Sequence, residues 1–428
     1  MEIHTVTAGE TLLSIARQYG VSVERLAADN ELDIETPLVV GQTIVVLFPA
    51  RSHTVQAGET LLSIAQAYGV SVNQLLRNNP VLGGEETVYP GQTIIIEYTQ
   101  PKQGTLTVNG YAYPNIDRTV LRKTLPYLTY LTLFTYGITP EGELVTIDDQ
   151  EVIDIARSYG VAPLMLLSSL DPSGTFNNAL STLVLTNEEV QTRLIGRILE
   201  TLRAKNYFGL DIDFEFVLPE EREAYVTFVQ RITARLNAEG YPVLVALAPK
   251  TSADQPGLLY ESHDYAGIGA AANLVLLMTY EWGYTYGPPM AVSPLNKVRE
   301  VVAFGVSQIP ADKILMGVPN YGYDWTLPYV PGEGAARSIG NVMAVDIARE
   351  HGADIRFDRV AQAPFFNYYD VQGRQHEVWF EDASSIRAKL ALASEFSLHG
   401  IAIWNVMRYF PQNWLVLNAL YTIRRETL

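Results

Sequence analysis

A tandem repeat constrains this chain more than any other feature. Residues 4–26, HTVTAGETLLSIARQYGVSVERL, recur as 53–75, HTVQAGETLLSIAQAYGVSVNQL, with five aligned positions changed. Each copy runs on through a turn-rich stretch to VVGQTIVVL or YPGQTIIIE. Two segments this alike in tandem fold alike, so the N-terminal part of the chain is two copies of one small unit. HTV reads as a short strand and Ala-Gly as a turn. Thr11 or Thr60 then caps a helix whose apolar positions (Leu12, Ile15, Ala16 and Tyr19 in the first copy) follow helical spacing. Gly20 or Gly69 stops that helix. Ser22 caps the next, with Glu24 in its first turn, and Gly41-Gln42 or Gly91-Gln92 turns into a closing strand. The expected unit is strand, helix, helix, strand.

The segments HTVxAGETLLSIAxxYGVS and the terminal GQTI resemble the LysM module. The resemblance implies two modules, residues 1–48 and 51–98, that bind glycans containing N-acetylglucosamine, chiefly peptidoglycan and chitin. It places a shallow groove at the loop after the first strand: Ala8, Gly9, Glu10, Thr11 and Leu12, and Ala57, Gly58, Glu59, Thr60 and Leu61. The segment after the second helix completes it, with Asn30, Glu31 and Leu32, and with Asn79, Pro80 and Val81. The plainer alternative is a pair of packing modules. Duplication favours binding, because linked sites gain avidity.

Past the linker-like YTQPKQGT, eight apolar runs alternate with helical patterns. They are 105–113, 128–136, 162–169, 208–216, 242–250, 272–282, 313–323 and 400–407. Eight strands with intervening helices predict an α/β (β/α)₈ TIM barrel over 105–428. An open doubly wound sheet is the alternative, but its Gly-rich phosphate turn is missing. The gap between the last two runs is too long for one helix. It contains APFFNYYDVQGRQHEVWFED, which reads as a hairpin turning at DVQG, so a small α+β insertion is expected at about 324–383.

The fourth run, GLDIDFEFV, places Asp211, Asp213 and Glu215 at alternate positions between Ile212, Phe214 and Phe216. Alternate residues of a strand share a face, so the acids line the inner face toward the C-terminal mouth and the apolar residues meet the helices. Three carboxylates crowded there cannot all ionise cheaply. A proton shared along the row prepares an acid at neutral pH. A structural acidic strand and a divalent-metal site are the competing readings. No pair of the six histidines has convincing ligand spacing, so neither metal nor cofactor is expected.

The same stretch resembles the D-G-x-D-x-D-x-E strand of glycoside hydrolase family 18. That resemblance implies Glu215 as general acid/base, the substrate's N-acetyl oxygen as nucleophile, Asp213 orienting the N-acetyl group, and Asp211 hydrogen-bonded to Asp213 in support. Phe208 stands where the motif has its first Asp. LMTYEW resembles the sixth-strand M-x-Y-D, implying Met278 on the floor and Tyr280 bonded to the N-acetyl oxygen, with Glu281 replacing the usual Asp. GIAIWNV resembles the eighth strand and implies Trp404 as the flat base under the sugar; Tyr321 and Trp282 are rim candidates. With the two modules, segments such as HEVWFEDASS and FPQNWLVL resemble the spore-cortex peptidoglycan hydrolases of this family. The expectation is a retaining, substrate-assisted N-acetylglucosaminidase acting on peptidoglycan. The alternatives are a chitinase and a non-catalytic glycan-binding coat protein.

A net charge of −17 disfavours nucleic acid and anionic membranes as partners. The absence of cysteine excludes disulfides and thiol nucleophiles. The N-terminus lacks a basic segment followed by an apolar one, and no run is long enough to span a membrane. Deposition on the spore, at the coat–cortex boundary, without an export signal is what the resemblance implies.

Overall fold

The computed structural model describes residues 1–170 and 177–428. Strand Glu2–Thr5 pairs antiparallel with Thr43–Val46, and Pro49–Thr54 pairs with Thr93–Tyr98, each pair embracing two helices. The local chemistry is that of the repeat. Thr11 and Ser14 form a reciprocal capping box, Thr60 and Ser63 repeat it, and Gly20 and Gly69 take the left-handed conformation at the helix ends. Each module buries its own small core, around Ile15 and Ile44 in the first and around Ile64 and Ile94 in the second.

Eight parallel strands close into a barrel: Gly104–Ala112, Tyr130–Ile138, Ala162–Ser168, Gly209–Asp213, Val243–Leu247, Leu274–Leu277, Ile314–Pro319 and Gly400–Trp404. Each pairs with the next, and the last returns to the first. All eight apolar runs supply one barrel strand. A short ninth strand, Tyr421–Ile423, extends the sheet beside the first. The main core lies between strands and helices. Inside the barrel, a separate layer holds Tyr111, Leu166, Leu244, Ala246, Leu276, Leu315 and Ala402. Below it Phe208 packs with Tyr130, whose ring centroid is 6.0 Å away, and with Leu164 and Leu274. The phenyl at the position of the motif's first Asp therefore plugs the barrel floor, away from the mouth.

The seventh run, expected as one strand over 313–323, is two. The barrel strand ends at Pro319; Asn320 then donates its backbone N–H to the Trp404 carbonyl at 3.0 Å, and Gly322–Thr326 crosses into another sheet. That sheet is antiparallel, in the order Arg337–Ile339, Gly322–Thr326, Gln375–Trp379, Ala363–Tyr369, Arg356–Asp358. The expected hairpin is its centre. Asp370 and Arg374 close the turn, and Gly373 has φ +75°.

The modules are bolted to the rest of the chain, the first to the insertion as well as to the barrel. In the first, Ile355 donates to the Val40 carbonyl at 2.9 Å, and Thr43 Oγ1 donates to Gln412 at 2.8 Å. The approach is so close that a Cβ on Gly41 would fall 1.8 Å from the Ile355 carbonyl oxygen. In the second, buried Arg77 donates to the Pro126 carbonyl at 2.9 Å and to Asn418 at 3.2 Å, while Asn73 donates to the Tyr159 carbonyl at 2.8 Å. The corresponding residues of the first copy are Ala28 and Glu24, so these departures from the repeat mark one module's own interface. Arg25 reaches across to the Asn78 carbonyl at 2.7 Å and Tyr98 at 2.6 Å, locking module to module.

Candidate active site

Strand alternation and the strand ends build the site. Asp211 pairs in register with Leu166 and Leu244, and Asp213 with Ser168, which places both acids on the inner face at the upper end of the fourth strand. Regular pairing stops at Asp213, so Glu215 stands just beyond the strand, and Phe216 then turns the chain at φ +56°. The outward residues hold this end rigid. Phe214 stacks on Phe228 and Tyr225, ring centroids 5.7 and 5.9 Å apart. Its carbonyl accepts from Nε2 of the fully buried His263 at 3.0 Å, and Ala248 N–H donates to the opposite nitrogen at 2.8 Å. Burial lowers the His263 pKa to about 4, so the ring is neutral and its one N–H points at the strand end.

A cavity of about 490 Å³ opens over these acids. Asp213, Glu215, Met278, Tyr280, Glu281, Trp282 and Trp404 line it, and Asp211 lies beneath, outside its lining. Met278, Tyr280 and Glu281 lie just past the sixth strand, where Glu281 takes φ +67°. Trp404 is the last residue of the eighth strand, within 5.2 Å of the Phe134 ring centroid and 5.6 Å of Tyr111. Two rings thus hold an indole in a largely apolar cavity that also presents carboxylates, and a flat face in such a setting can stack on a sugar ring.

Burial governs the acids. Asp211 is wholly buried and its pKa is pushed up to about 8, desolvation outweighing the hydrogen bond from Tyr111 (2.6 Å). Asp213 is raised by desolvation, and Glu215 by desolvation and then by the charges of Asp213 and Glu281. Such a row retains protons at neutral pH and presents one of them to the cavity. Tyr111 holds Asp211, while Asp211 Oδ1 and Asp213 Oδ1 each lack a hydrogen-bond donor. A carboxylate–carboxyl bond between neighbouring acids requires a proton shared between them.

Tyr321 is buried and lies outside that cavity, on the wall of an adjoining hollow. Its hydroxyl donates to the Glu281 carboxylate, as does that of Tyr323 at 3.1 Å. The longer Glu side chain is thus tethered to the insertion sheet. Sequence reasoning missed Tyr111, Tyr113, Phe134, Tyr260 and His263. Tyr111 was within reach, since it shares the inner face of the first run with Asn109 and stands near its end. Phe134 lies within the second strand and Tyr113 just past the first, in runs already read as strands, whereas Tyr260 and His263 lie on the loop after the fifth strand, where no periodic signal marks them.

The glycan-groove expectations divide. Ala8, Gly9, Ala57, Gly58 and Glu31 are exposed turn residues, Thr11 and Thr60 are exposed helix caps, and Val81 is exposed on a short 3-10 helix. Leu32 is half-buried. Five others are buried, although Asn30 still lines a hollow with Glu31 and Leu32. Leu12 and Leu61 are core residues, Pro80 is buried, and Asn30 and Asn79 are buried pins. Asn30 donates to the Leu26 and Val45 carbonyls and accepts from Val45 N–H, and Asn79 makes the same three bonds to Leu75 and Ile95. A side-chain amide in mid-sequence satisfies buried backbone here, which explains the residue type without a ligand. Glu10 and Glu59 are occupied too. Each accepts a turn N–H (2.6 and 2.7 Å) and meets a histidine, His4 at 3.0 Å or His53 at 2.7 Å.

Residues 99–408 match glycosyl hydrolases family 18, and residues 4–47 and 53–97 match the LysM domain. The chain belongs to glycosyl hydrolases family 18. It is a glycoside hydrolase with two N-terminal LysM domains. It is 41% identical to the cortical fragment-lytic enzyme of Bacillus subtilis, with the whole of both chains covered. A putative sporulation-specific glycosylase of the same organism, YdhD, is 35% identical over 99% of this chain and all of its own. The crystal structure of the spore cortex-lytic enzyme SleL of Bacillus megaterium superposes with a TM-score of 0.85 at 38% identity, covering 99% of each chain. Among the described residues, no helix is long and apolar enough to cross a membrane, and no cluster of His, Asp and Glu has metal-binding form.

Proposed function

We propose that this enzyme hydrolyses spore-cortex peptidoglycan as a retaining, substrate-assisted N-acetylglucosaminidase, with its LysM domains holding it to the insoluble wall. One observation carries the mechanism: Glu215 and Asp213 face a cavity floored by Trp404, and burial keeps both above the ordinary carboxylate range. Glu215 carries a proton at neutral pH and gives it to the glycosidic oxygen as the C1–O bond breaks. The carbonyl oxygen of the sugar's own acetamido group attacks C1 from the opposite face, closing an oxazolinium ring. Asp213 accepts the acetamido N–H and balances the positive charge, and Tyr280 hydrogen-bonds the acetamido oxygen. Water then adds to C1, yielding its proton to Glu215 and reopening the acetamide. Two inversions give net retention, and no second carboxylate at nucleophile distance is required.

The peptidoglycan assignment rests on full-length similarity to cortex-lytic enzymes together with the tandem modules. Mass spectrometry of digested cortex tests the bond. Fragments ending in reducing N-acetylglucosamine are expected; fragments ending in reducing N-acetylmuramic acid contradict the reading.

A further inference from the structure

The cavity does not end at Trp404. Tyr113, Glu281 and Trp404 also line an adjoining hollow of about 360 Å³ that runs beneath the insertion sheet, with Asn320, Ser338 and Arg408 on its wall. Arg408 is the only Lys or Arg among the described residues lining either space. It is exposed, and no carboxylate among the described residues forms an ion pair with it; Ser338 Oγ, at 3.5 Å, is the one polar contact of its guanidinium. The nearby Glu281 is engaged by Tyr321 and Tyr323.

The arginine is nevertheless well placed. Buried Asn320 donates to the Arg408 carbonyl at 2.8 Å and to the Asn405 carbonyl at 2.9 Å, fixing the chain that follows the eighth strand. Gly340 leaves room for the stem, since a Cβ there would stand 3.1 Å from Arg408 Cδ. A guanidinium whose backbone is pinned beside a reaction centre, with no carboxylate partner among the described residues in a chain of net charge −17, is suited to an anion from outside.

We infer that Arg408 and this hollow form a subsite for a carboxylate carried by a sugar next to the one being cleaved, and that the contact separates peptidoglycan from chitin as substrate. The inference rests on the peptidoglycan reading above. In an alternating polymer with N-acetylglucosamine over Trp404, the lactyl-bearing sugar flanks it on both sides, so the subsite meets this sugar whichever way the chain runs. The carboxylate is that of the lactyl group itself or that of a first amino acid amide-linked to it.

The experiment compares full-length enzyme with Arg408→Gln and Arg408→Lys. Four substrates are used: a muramyl oligosaccharide with free lactyl carboxylate, its methyl ester, its L-alanyl derivative, and a chitooligosaccharide of equal length. Loss of a charge-assisted pair corresponds to a fall of about 10- to 100-fold. We expect Arg408→Gln to reduce the ratio of kcat/KM on acid over methyl ester by that factor, mainly through KM, with Arg408→Lys recovering part of it. A greater fall on the free acid than on the alanyl derivative identifies the lactyl group, and the reverse order identifies the stem. Equal losses on charged and neutral substrates, or no loss on either, overturn the subsite. Wild-type inactivity on every muramyl fragment overturns the peptidoglycan reading and the subsite with it.

Discussion

Acidic side chains occur in two opposite settings in this molecule. In the LysM domains, Glu10 and Glu59 are near the surface, and each accepts a backbone N–H and meets a histidine. Those bonds lower the pKa of Glu10 to about 2 and hold Glu59 below the ordinary range as well. In the barrel, Asp211, Asp213 and Glu215 are removed from water, and Asp211 Oδ1 and Asp213 Oδ1 go unpartnered. There the shift is upward. The difference lies in donors and water, not in residue type. Acids near the surface and supplied with donors become fixed anions that brace a turn, while acids removed from water keep their protons even where, as at Asp211, one donor remains.

The comparison can be broken at either end. Glu215→Gln removes the transferable proton and retains the shape. Hydrolysis of cortex fragments should fall by about 10³-fold, within the range for loss of a general acid, while binding to insoluble peptidoglycan persists. Turnover assays with a pull-down check both, and unchanged turnover removes Glu215 from the mechanism.

Asp211→Asn should show the energetic side. A carboxyl raised to about 8 in the fold binds its proton more tightly folded than unfolded, so it costs nothing below its ordinary pKa of 3.8. The cost grows as pH rises and is complete above about 8. Asparagine still accepts from Tyr111 without that cost. The variant should therefore match wild type near pH 4 and exceed it near pH 9, by up to about 6 kcal/mol, as read by denaturant unfolding. Equal stability at both pH values contradicts the burial argument.

The smallest effect belongs to the modules. Glu10→Gln and Glu59→Gln lose the charge that the histidine and turn N–H stabilise. Each should lower stability slightly at neutral pH. For Glu10 the difference is present above its ordinary pKa of 4.5 and disappears as pH falls through about 2. Calorimetry as a function of pH checks the sign.

The barrel and the modules were legible because each rests on a local pattern: eight apolar runs, a duplicated capping box, a period-two acidic strand. What was not legible depends on long-range packing. Nothing near Asn30 or Asn79 announces a buried amide pinning a strand, so both resembled groove residues. The second strand hidden in residues 313–323 turns on Asn320 meeting Trp404, a contact between distant segments. His263 reaches Phe214 across 49 positions, and no periodicity encodes such a bond. Local chemistry is written in the sequence, whereas the partners that set its protonation are supplied by the fold.

The central claim is that burial and like charge keep Glu215 protonated at neutral pH. The pH dependence of kcat/KM on a neutral oligosaccharide, for wild type and Asp213→Asn, tests it most directly. The account predicts an alkaline limb well above the ordinary carboxylate range, because the acid must keep its proton. Removing the Asp213 charge should shift that limb to lower pH in the residual activity of the variant. A wild-type limb at the ordinary carboxylate pKa, or one that Asp213→Asn leaves in place, would contradict it.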